Sequence, residues 1–240
     1  MGSFLNVLIY RLPREISIVV PRSFCTNCKR TIPWYENIPL FSFLFLKGKC
    51  RVCGVRIPWC YPLVELTTGL VACLLIPSQW NLENILVFIF YFYIFCAFFV
   101  HFIIDIKHRI LPNSINIFLA LLFFAHSIIM RDWIWWTSGA VIGCGIPLLV
   151  TWLFYLSTKK VGLGGGDIKL YGALGLYLGP LGVVHTITFS CFLGAILGGL
   201  WILISKKGKN EPFAFGPFII IVAFCQIFFP EQFARVLFFL

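Results

Sequence analysis

The stretch GLGGGDIKL, residues 162–170, decides how the rest of this sequence is interpreted. Glycine occupies four of its first five positions, and an apolar helical pattern follows its single acid, Asp167. Because glycine carries no Cβ, the backbone of another segment can approach closely at 164–166. An ionisable residue at the edge of a membrane span is by default a functional hypothesis. The alternative is a helix N-cap, a position that favours aspartate, and one side chain can serve both purposes.

The composition is that of a membrane protein. Of the 240 residues, 60% are hydrophobic and only 12% are charged, whereas a soluble domain has about 45–50% apolar and about 25% charged residues. A lipid bilayer is therefore the natural solvent for most of this chain. The sequence predicts an all-α polytopic membrane protein.

Apolar runs divide the chain into about eight predicted transmembrane helices. A span needs roughly 20 residues, so the run at 1–10 is interpreted as a truncated first helix, the alternative being a true start that lies upstream. The Gly-rich region after Asp167 is divided into two helices around Gly179 and Pro180. We thus expect three parts: the short helix at 1–10, a hydrophilic loop at 11–60 and a membrane core at 61–240. The predicted spans are 1–10, 62–76, 84–104, 113–130, 133–156, 168–185, 186–204 and 213–229.

The distribution of positive charge predicts the orientation. The 11–60 loop holds nine of the nineteen Lys and Arg residues, and the connections at 105–112, 157–169 and 205–211 fall on the same side of the membrane. That side carries all but two of the basic residues, the exceptions being Arg131 and Arg235. By the positive-inside rule that side is the cytoplasm. The net charge of +10 is then a topology signal with a secondary attraction to membrane lipid, and nucleic acid is not an expected partner.

A second acid, Asp105, lies at the cytoplasmic end of another predicted span. Two membrane crossings separate it from Asp167, so both acids are predicted on one face. A carboxylate at the C-terminal end of a helix opposes the helix dipole, and helix chemistry therefore gives no reason for Asp105. A salt bridge to Lys107, His108 or Arg109 is the structural alternative.

Two carboxyl groups close together in a low-dielectric site cannot both ionise easily, so one keeps a proton. The ionised group can take a proton from water while the protonated group donates to a carbonyl oxygen. This pair suits peptide hydrolysis without a metal or a nucleophilic side chain. Ion translocation is the other common use of intramembrane acids, but a transporter should have its acids near the midplane.

Two CxxC pairs in the hydrophilic loop predict a metal site. Cys25, Cys28, Cys50 and Cys53 lie in a segment assigned to the reducing cytoplasm, where thiolates that bind Zn²⁺ are favoured over disulfides. Four thiolates satisfy tetrahedral zinc, and the spacing is close to that of zinc ribbons. With no open coordination position, such a zinc ion would be structural. Redox dithiols and incidental cysteines are the alternatives, and none of the four histidines is interpreted as a ligand.

Taken together and in order, several stretches resemble the bacterial prepilin peptidases, which belong with the membrane aspartyl proteases carrying a Gly-x-Gly-Asp motif. The resemblance covers nearly the whole chain. The matching stretches are GSFLNVLIYRLP (2–13), the two CxxC pairs, ENIPLFSFLFLKGKCRVC (36–53), YPLVELTTG (61–69), IDIKHRILPN (104–113), GLGGGDIKL (162–170) and FGPF (215–218).

The resemblance implies two catalytic aspartates, which map onto Asp105 and Asp167. It implies that the substrates are type IV prepilins or pseudopilins, cut just after a glycine that ends a short basic leader. Family members with the cysteine-bearing loop usually also methylate the new N-terminal amine with S-adenosylmethionine. Gly48 and Glu65 match family positions and are placed in this methyl-transfer region.

Two hypotheses from other classes stay open on the sequence alone. One is a multi-span transporter that uses Asp105 and Asp167 for ion coupling. The other is a membrane-anchored zinc module that only scaffolds a secretion assembly.

Overall fold

The computed structural model describes residues 1–160, 162–204 and 214–238, and this part of the chain is helical and free of β-strands. The predicted all-α class is thereby confirmed. The hydrophilic loop also contains two short 3₁₀ helices, Leu12–Arg14 and Trp34–Asn37. The α-helices are α1 (Gly2–Arg11), α2 (Phe41–Phe45), α3 (Cys60–Leu75), α4 (Leu82–His108), α5 (Asn113–Met130), α6 (Trp133–Thr158), α7 (Gly165–Ile204), α8 (Gly216–Phe228) and α9 (Pro230–Phe238).

Within the described residues, four helices are long and apolar enough to cross a membrane: α4, α5, α6 and α7. Helices α3 and α8 are apolar but shorter, and α1 has only 10 residues. The chain is thus a multi-pass membrane protein by helix length and composition, while the predicted count of eight spans is not confirmed. The predicted basic connection at 205–211 lies outside the described residues, as does the first residue of the predicted span 213–229.

Helix α7 is interrupted at the position where the sequence predicts a boundary. Gly179 has φ 71° and ψ −174° in the middle of an otherwise helical run, and Pro180 follows it. This backbone conformation is essentially restricted to glycine, and proline cannot continue the hydrogen bonding of the preceding turn. The indole of Trp135 from α6 lies against Gly179, where a Cβ would overlap it.

The chain forms two compact units, Met1–Cys96 and Ala97–Leu240. In the first unit α1 packs against α3. Gly2 makes this approach close, because a Cβ there would lie 2.7 Å from Cα of Glu65. Buried Leu5 and Val64 contribute to the apolar core of this unit, and Arg11, only 4% exposed, donates hydrogen bonds to backbone carbonyls of the following loop.

In the second unit α7 packs against α5, α6 and α8. The contact between α6 and α7 is made backbone to backbone, because a Cβ on Gly139 would overlap the carbonyl of Gly175. Gly143, one turn further along α6, meets the carbonyl of Tyr171 in the same way. Small residues at helix interfaces permit this close packing in membranes, where van der Waals contact replaces the hydrophobic effect as the driving force. This close packing fixes the position of α7, whose first turn contains Asp167.

Candidate active site and metal centre

Asp105 lies in the last turn of α4 and is almost completely buried, with 4% of its surface exposed. Its carboxyl oxygen Oδ2 is buried and has no hydrogen-bond partner in the described part of the chain. Buried polar atoms are nearly always paired, so each exception requires an explanation. The backbone of Gly216, the first residue of α8, lies against this carboxyl group: a Cβ there would be 2.7 Å from Oδ2.

Asp167 lies in the first turn of α7 and is half-buried. The helix begins at Gly165, so Asp167 is not itself the N-cap residue. Its side chain turns back towards the preceding residues, and a Cβ on Gly164 would lie 2.9 Å from its Oδ2. An acid at the third helical position commonly reaches back to the capping residue in this way. The N-cap position considered for Asp167 is therefore occupied by Gly164, and the carboxyl group of Asp167 lies beside that residue.

The second unit brings the two acids together. Helices α5 and α6 separate them in sequence, yet Leu111, which follows α4, contacts both Gly166 and Gly216. The charge of Asp105 also acts electrostatically on Asp167. The end of α4, the start of α7 and the start of α8 thus converge around two carboxyl groups.

Two polar residues near these acids were not identified from the sequence as functional candidates. His101 and Asn116 are both buried, at 0% and 2% exposure, and they hydrogen-bond to each other. His101 precedes Asp105 by one helical turn, and this spacing was the available signal. For Asn116 the only signal was a polar side chain inside the apolar run of α5. Its hydrogen-bond partners, His101 and Gly166, are distant in the sequence and could not be identified from it.

The four loop cysteines form one cluster in the first unit. The Sγ atoms of Cys25, Cys28, Cys50 and Cys53 all lie within 4.8 Å of one another, and those of Cys25 and Cys53 are 3.8 Å apart. Four thiolates around a tetrahedral ion with metal–sulfur bonds of about 2.3 Å would lie roughly 3.8 Å apart. The spacing and chemistry of these ligands therefore fit a metal ion.

Each CxxC pair is held by the same backbone turn. Cys25 N donates to Arg30 O, and Cys50 N donates to Val55 O, both at 2.9 Å. An isolated β-bridge closes each turn, Phe24 to Thr31 and Lys49 to Arg56. The loop thus contains two matching turns, at 23–32 and 48–57, and each presents two sulfur atoms.

The backbone of the second turn favours thiolate at Cys53. The N–H of Val55 stabilises the ionised sulfur and lowers the pKa of Cys53 to about 6. The N–H of Arg30 favours the Cys28 thiolate in the same way, but partial burial and the neighbouring thiols raise the pKa of Cys28 to about 11. Four sulfurs so close together cannot all ionise without a cation, and a bound metal ion deprotonates its thiol ligands.

Glu65 and Gly48, the residues predicted for methyl transfer, both lie in the first unit. The carboxylate of Glu65 accepts a hydrogen bond from Ser3 Oγ at 2.6 Å and one from the N–H of Leu40 at 2.9 Å. Glu65 therefore joins α3 to α1 and to the start of α2. Gly48 has φ +67° and lies against the ring of Phe43.

Two family models match this chain. The bacterial peptidase A24 N-terminal domain matches residues 1–78, and the type IV leader peptidase family matches residues 92–199. The first match contains the cysteine cluster, and the second contains both Asp105 and Asp167. No solved structure matches this chain at a significant level.

Curated relatives match over nearly the whole chain. The prepilin leader peptidase/N-methyltransferase of Bacillus subtilis (strain 168) is 35% identical over 225 residues, which cover 91% of this chain and 86% of that protein. The protein of the same name from Legionella pneumophila is 30% identical over 259 residues, covering 97% of this chain and 88% of that protein. The chain therefore belongs to the type IV leader peptidase family.

Proposed function

We propose that this protein is an aspartic endopeptidase that removes the basic leader from type IV prepilins or pseudopilins at the cytoplasmic face of the bacterial inner membrane. The observation that carries the proposal is the convergence of two carboxyl groups, from α4 and from α7, in one compact unit. Membership of the family and the names of the relatives supply the substrate class. The asymmetric distribution of Lys and Arg supports the cytoplasmic orientation.

In the proposed reaction Asp105 and Asp167 share one proton. The ionised carboxylate accepts a proton from water, whose oxygen bonds to the carbonyl carbon of the glycine that ends the leader. The protonated carboxyl group donates to the carbonyl oxygen, and the C–N bond then breaks as the leaving amine receives the proton that the other carboxylate took from water. Oδ2 of Asp105 has no side-chain hydrogen-bond partner in the described part of the chain, which leaves this oxygen to accept a proton or a hydrogen bond from water.

The substrate fits a site at the membrane surface. The apolar helix of a prepilin can lie in the bilayer while its basic leader stays in the cytoplasm. Gly164 and Gly165 are exposed, and without side chains they leave room for an extended peptide to approach Asp167. Besides the substrate, we expect membrane lipid as a partner, because the basic residues at the cytoplasmic face attract anionic headgroups.

A second proposed activity is N-methylation of the new N-terminus with S-adenosylmethionine as methyl donor. It is supported by the names of the relatives, which pair the peptidase with an N-methyltransferase. The first unit would carry this activity, with Gly48 and Glu65 in the methyl-transfer region. We further propose that the ion held by the four cysteines is Zn²⁺ and that it stabilises the loop without acting on substrate.

The decisive experiment is cleavage of a prepilin by the purified protein in detergent. Replacing Asp105 or Asp167 by Asn keeps the size of the side chain and removes its acid–base chemistry. Each change should lower kcat by at least about 100-fold, measured as leader release at equal protein abundance. Asp132→Asn is the matched control, since Asp132 is the remaining aspartate and is exposed at the start of α6.

Each result separates the candidate functions. Full cleavage by either Asn variant would contradict the two-acid mechanism. No cleavage by the wild-type protein would favour an ion-coupled transporter or a zinc scaffold. Adding labelled S-adenosylmethionine to the same reaction tests methylation of the cleaved product.

A further inference from the structure

A chain of hydrogen bonds inside the second unit connects three helices close to the two acids. Nε2 of His101, on α4, lies 3.0 Å from Oδ1 of Asn116, on α5. Nδ2 of Asn116 donates to the carbonyl oxygen of Gly166, on α7, at 3.0 Å. Both side chains are more than nine-tenths buried. The chain of bonds therefore forms in a low-dielectric region where water cannot substitute for a lost partner.

The direction of every bond in this chain is determined. The carbonyl of Gly166 can only accept, so the amide nitrogen of Asn116 must face it and Oδ1 must face His101. Oδ1 also only accepts, so His101 carries a proton on Nε2. In the neutral imidazole Nδ1 is then a bare acceptor, and this atom is buried without a partner in the described part of the chain.

Both ends of the chain adjoin a proposed catalytic acid. His101 precedes Asp105 by four residues on α4, which places the two on one face of the helix. Gly166 is the residue directly before Asp167, so its carbonyl belongs to the peptide group that carries Asp167. Asn116 thus fastens the backbone at one acid to the helix that carries the other.

We infer that His101 and Asn116 are positioning residues that keep Asp167 at a fixed distance and orientation relative to Asp105. This inference rests on the proposed two-acid function. A pair of carboxyl groups that shares one proton and one water requires a defined separation, and misplacement by about 1 Å can cost roughly 100-fold in rate. Loss of either residue should therefore lower kcat and leave KM for the prepilin nearly unchanged, since both side chains are buried and out of reach of the substrate.

The critical comparison is between two replacements of His101. The amide nitrogen of Gln can reach the position of Nε2 and donate to Asn116, whereas the shorter Asn cannot reach it. His101→Gln should therefore keep kcat within about 3-fold of wild type, while His101→Asn and Asn116→Leu should each lower it by about 10- to 100-fold. The double variant His101→Asn/Asn116→Leu should be no worse than Asn116→Leu alone, because the two residues act as one unit.

A matched control removes a similar bond elsewhere. Ser127, also buried on α5, donates to the carbonyl of Leu176 on α7 at 2.8 Å, in the part of α5 distant from both acids. Ser127→Ala should lower thermal stability in detergent and leave kcat unchanged. Asn116→Ala is a second variant for the case in which Asn116→Leu does not accumulate, since it removes the bonds to His101 and Gly166 and adds no side-chain volume.

The outcomes distinguish this inference from the proposed function. Wild-type kcat in the Asn116 variants, or equal kcat in His101→Gln and His101→Asn, would overturn the positioning role. A fall in kcat for Ser127→Ala as large as that for Asn116→Leu would also overturn it, because general destabilisation would then suffice. Cleavage by the Asp105→Asn or Asp167→Asn variant would instead refute the proposed function itself.

Discussion

At the scale of single residues, Gly216 determines how closely α8 approaches the carboxyl group of Asp105. A Cβ at this position would lie 2.7 Å from Oδ2 of Asp105 and 3.2 Å from Cδ1 of Leu111, so the carboxyl group has to move. We expect Gly216→Ala to lower kcat for leader cleavage by about 10- to 100-fold with the protein still present in the membrane. Gly199→Ala on α7 is the control, because a Cβ there meets nothing within 4 Å. Normal cleavage by the Gly216 variant would mean that the position of Asp105 does not limit the reaction.

The sequence led us to the two acids of the proposed site and not to the two buried uncharged residues beside them. Asp105 and Asp167 stand out because an acid at a span end is costly and has few structural reasons to be there. His101 and Asn116 are polar residues within apolar runs, and their significance depends on a contact with Gly166, 50 residues beyond Asn116. Such a contact follows from how α5 packs on α7, which periodicity along one helix does not specify.

At the scale of secondary-structure elements, the two cysteine turns depend on each other. Neither turn can supply four ligands, and Glu36 joins them through ion pairs to Arg30 and Arg51 at 3.1 and 3.3 Å. Partly exposed ion pairs contribute only about 0–1 kcal/mol each, so the metal should dominate the stability of this loop. The spacing of the cysteines predicted this cluster because each CxxC pair lies in a turn closed by hydrogen bonds between residues that are near one another in the sequence.

Removal of the metal tests this dependence. We expect about one zinc ion per purified chain, and we expect Cys25→Ser to abolish its retention and make the loop sensitive to trypsin at its many Lys and Arg residues. Cys73→Ser is the control, since Cys73 is an exposed cysteine on α3 outside the cluster. Wild-type protein that contains no zinc, or a Cys25→Ser variant that keeps it, would contradict the proposed structural zinc.

Helix lengths were predicted less well than helix positions. The boundary at Gly179 and Pro180 was predicted because both residues disfavour a continuous helix for local reasons. The count of eight spans assumed that every apolar run crosses the bilayer, yet α3 has 16 residues and α8 has 13. Apolar composition does not separate a short span from a helix buried among others, so the count could not be settled from sequence.

At the scale of the whole molecule, the proposed chemistry requires that the connections beside Asp105 and Asp167 face the cytoplasm. Basic residues near span ends are retained on the cytoplasmic side during insertion, and Lys159 and Lys160 directly precede the stretch that leads to Asp167. The connection between α5 and α6 has Arg131 as its single basic residue and should lie on the opposite side. The order of the helices in the second unit agrees with this orientation. Two successive spans, α5 and α6, lie between the end of α4 and the start of α7, so these two helix ends fall on the same side of the membrane.

Reporter fusions measure this orientation directly. Alkaline phosphatase is active only after export, and green fluorescent protein fluoresces only when it remains in the cytoplasm. Fusions that end after residue 131 should therefore give phosphatase activity without fluorescence, and fusions that end after residue 160 should give the reverse. If residue 160 reported from outside, Asp105 and Asp167 would face away from a leader that stays in the cytoplasm. The proposed peptidase would then have no substrate at its acids, whatever their distance from each other.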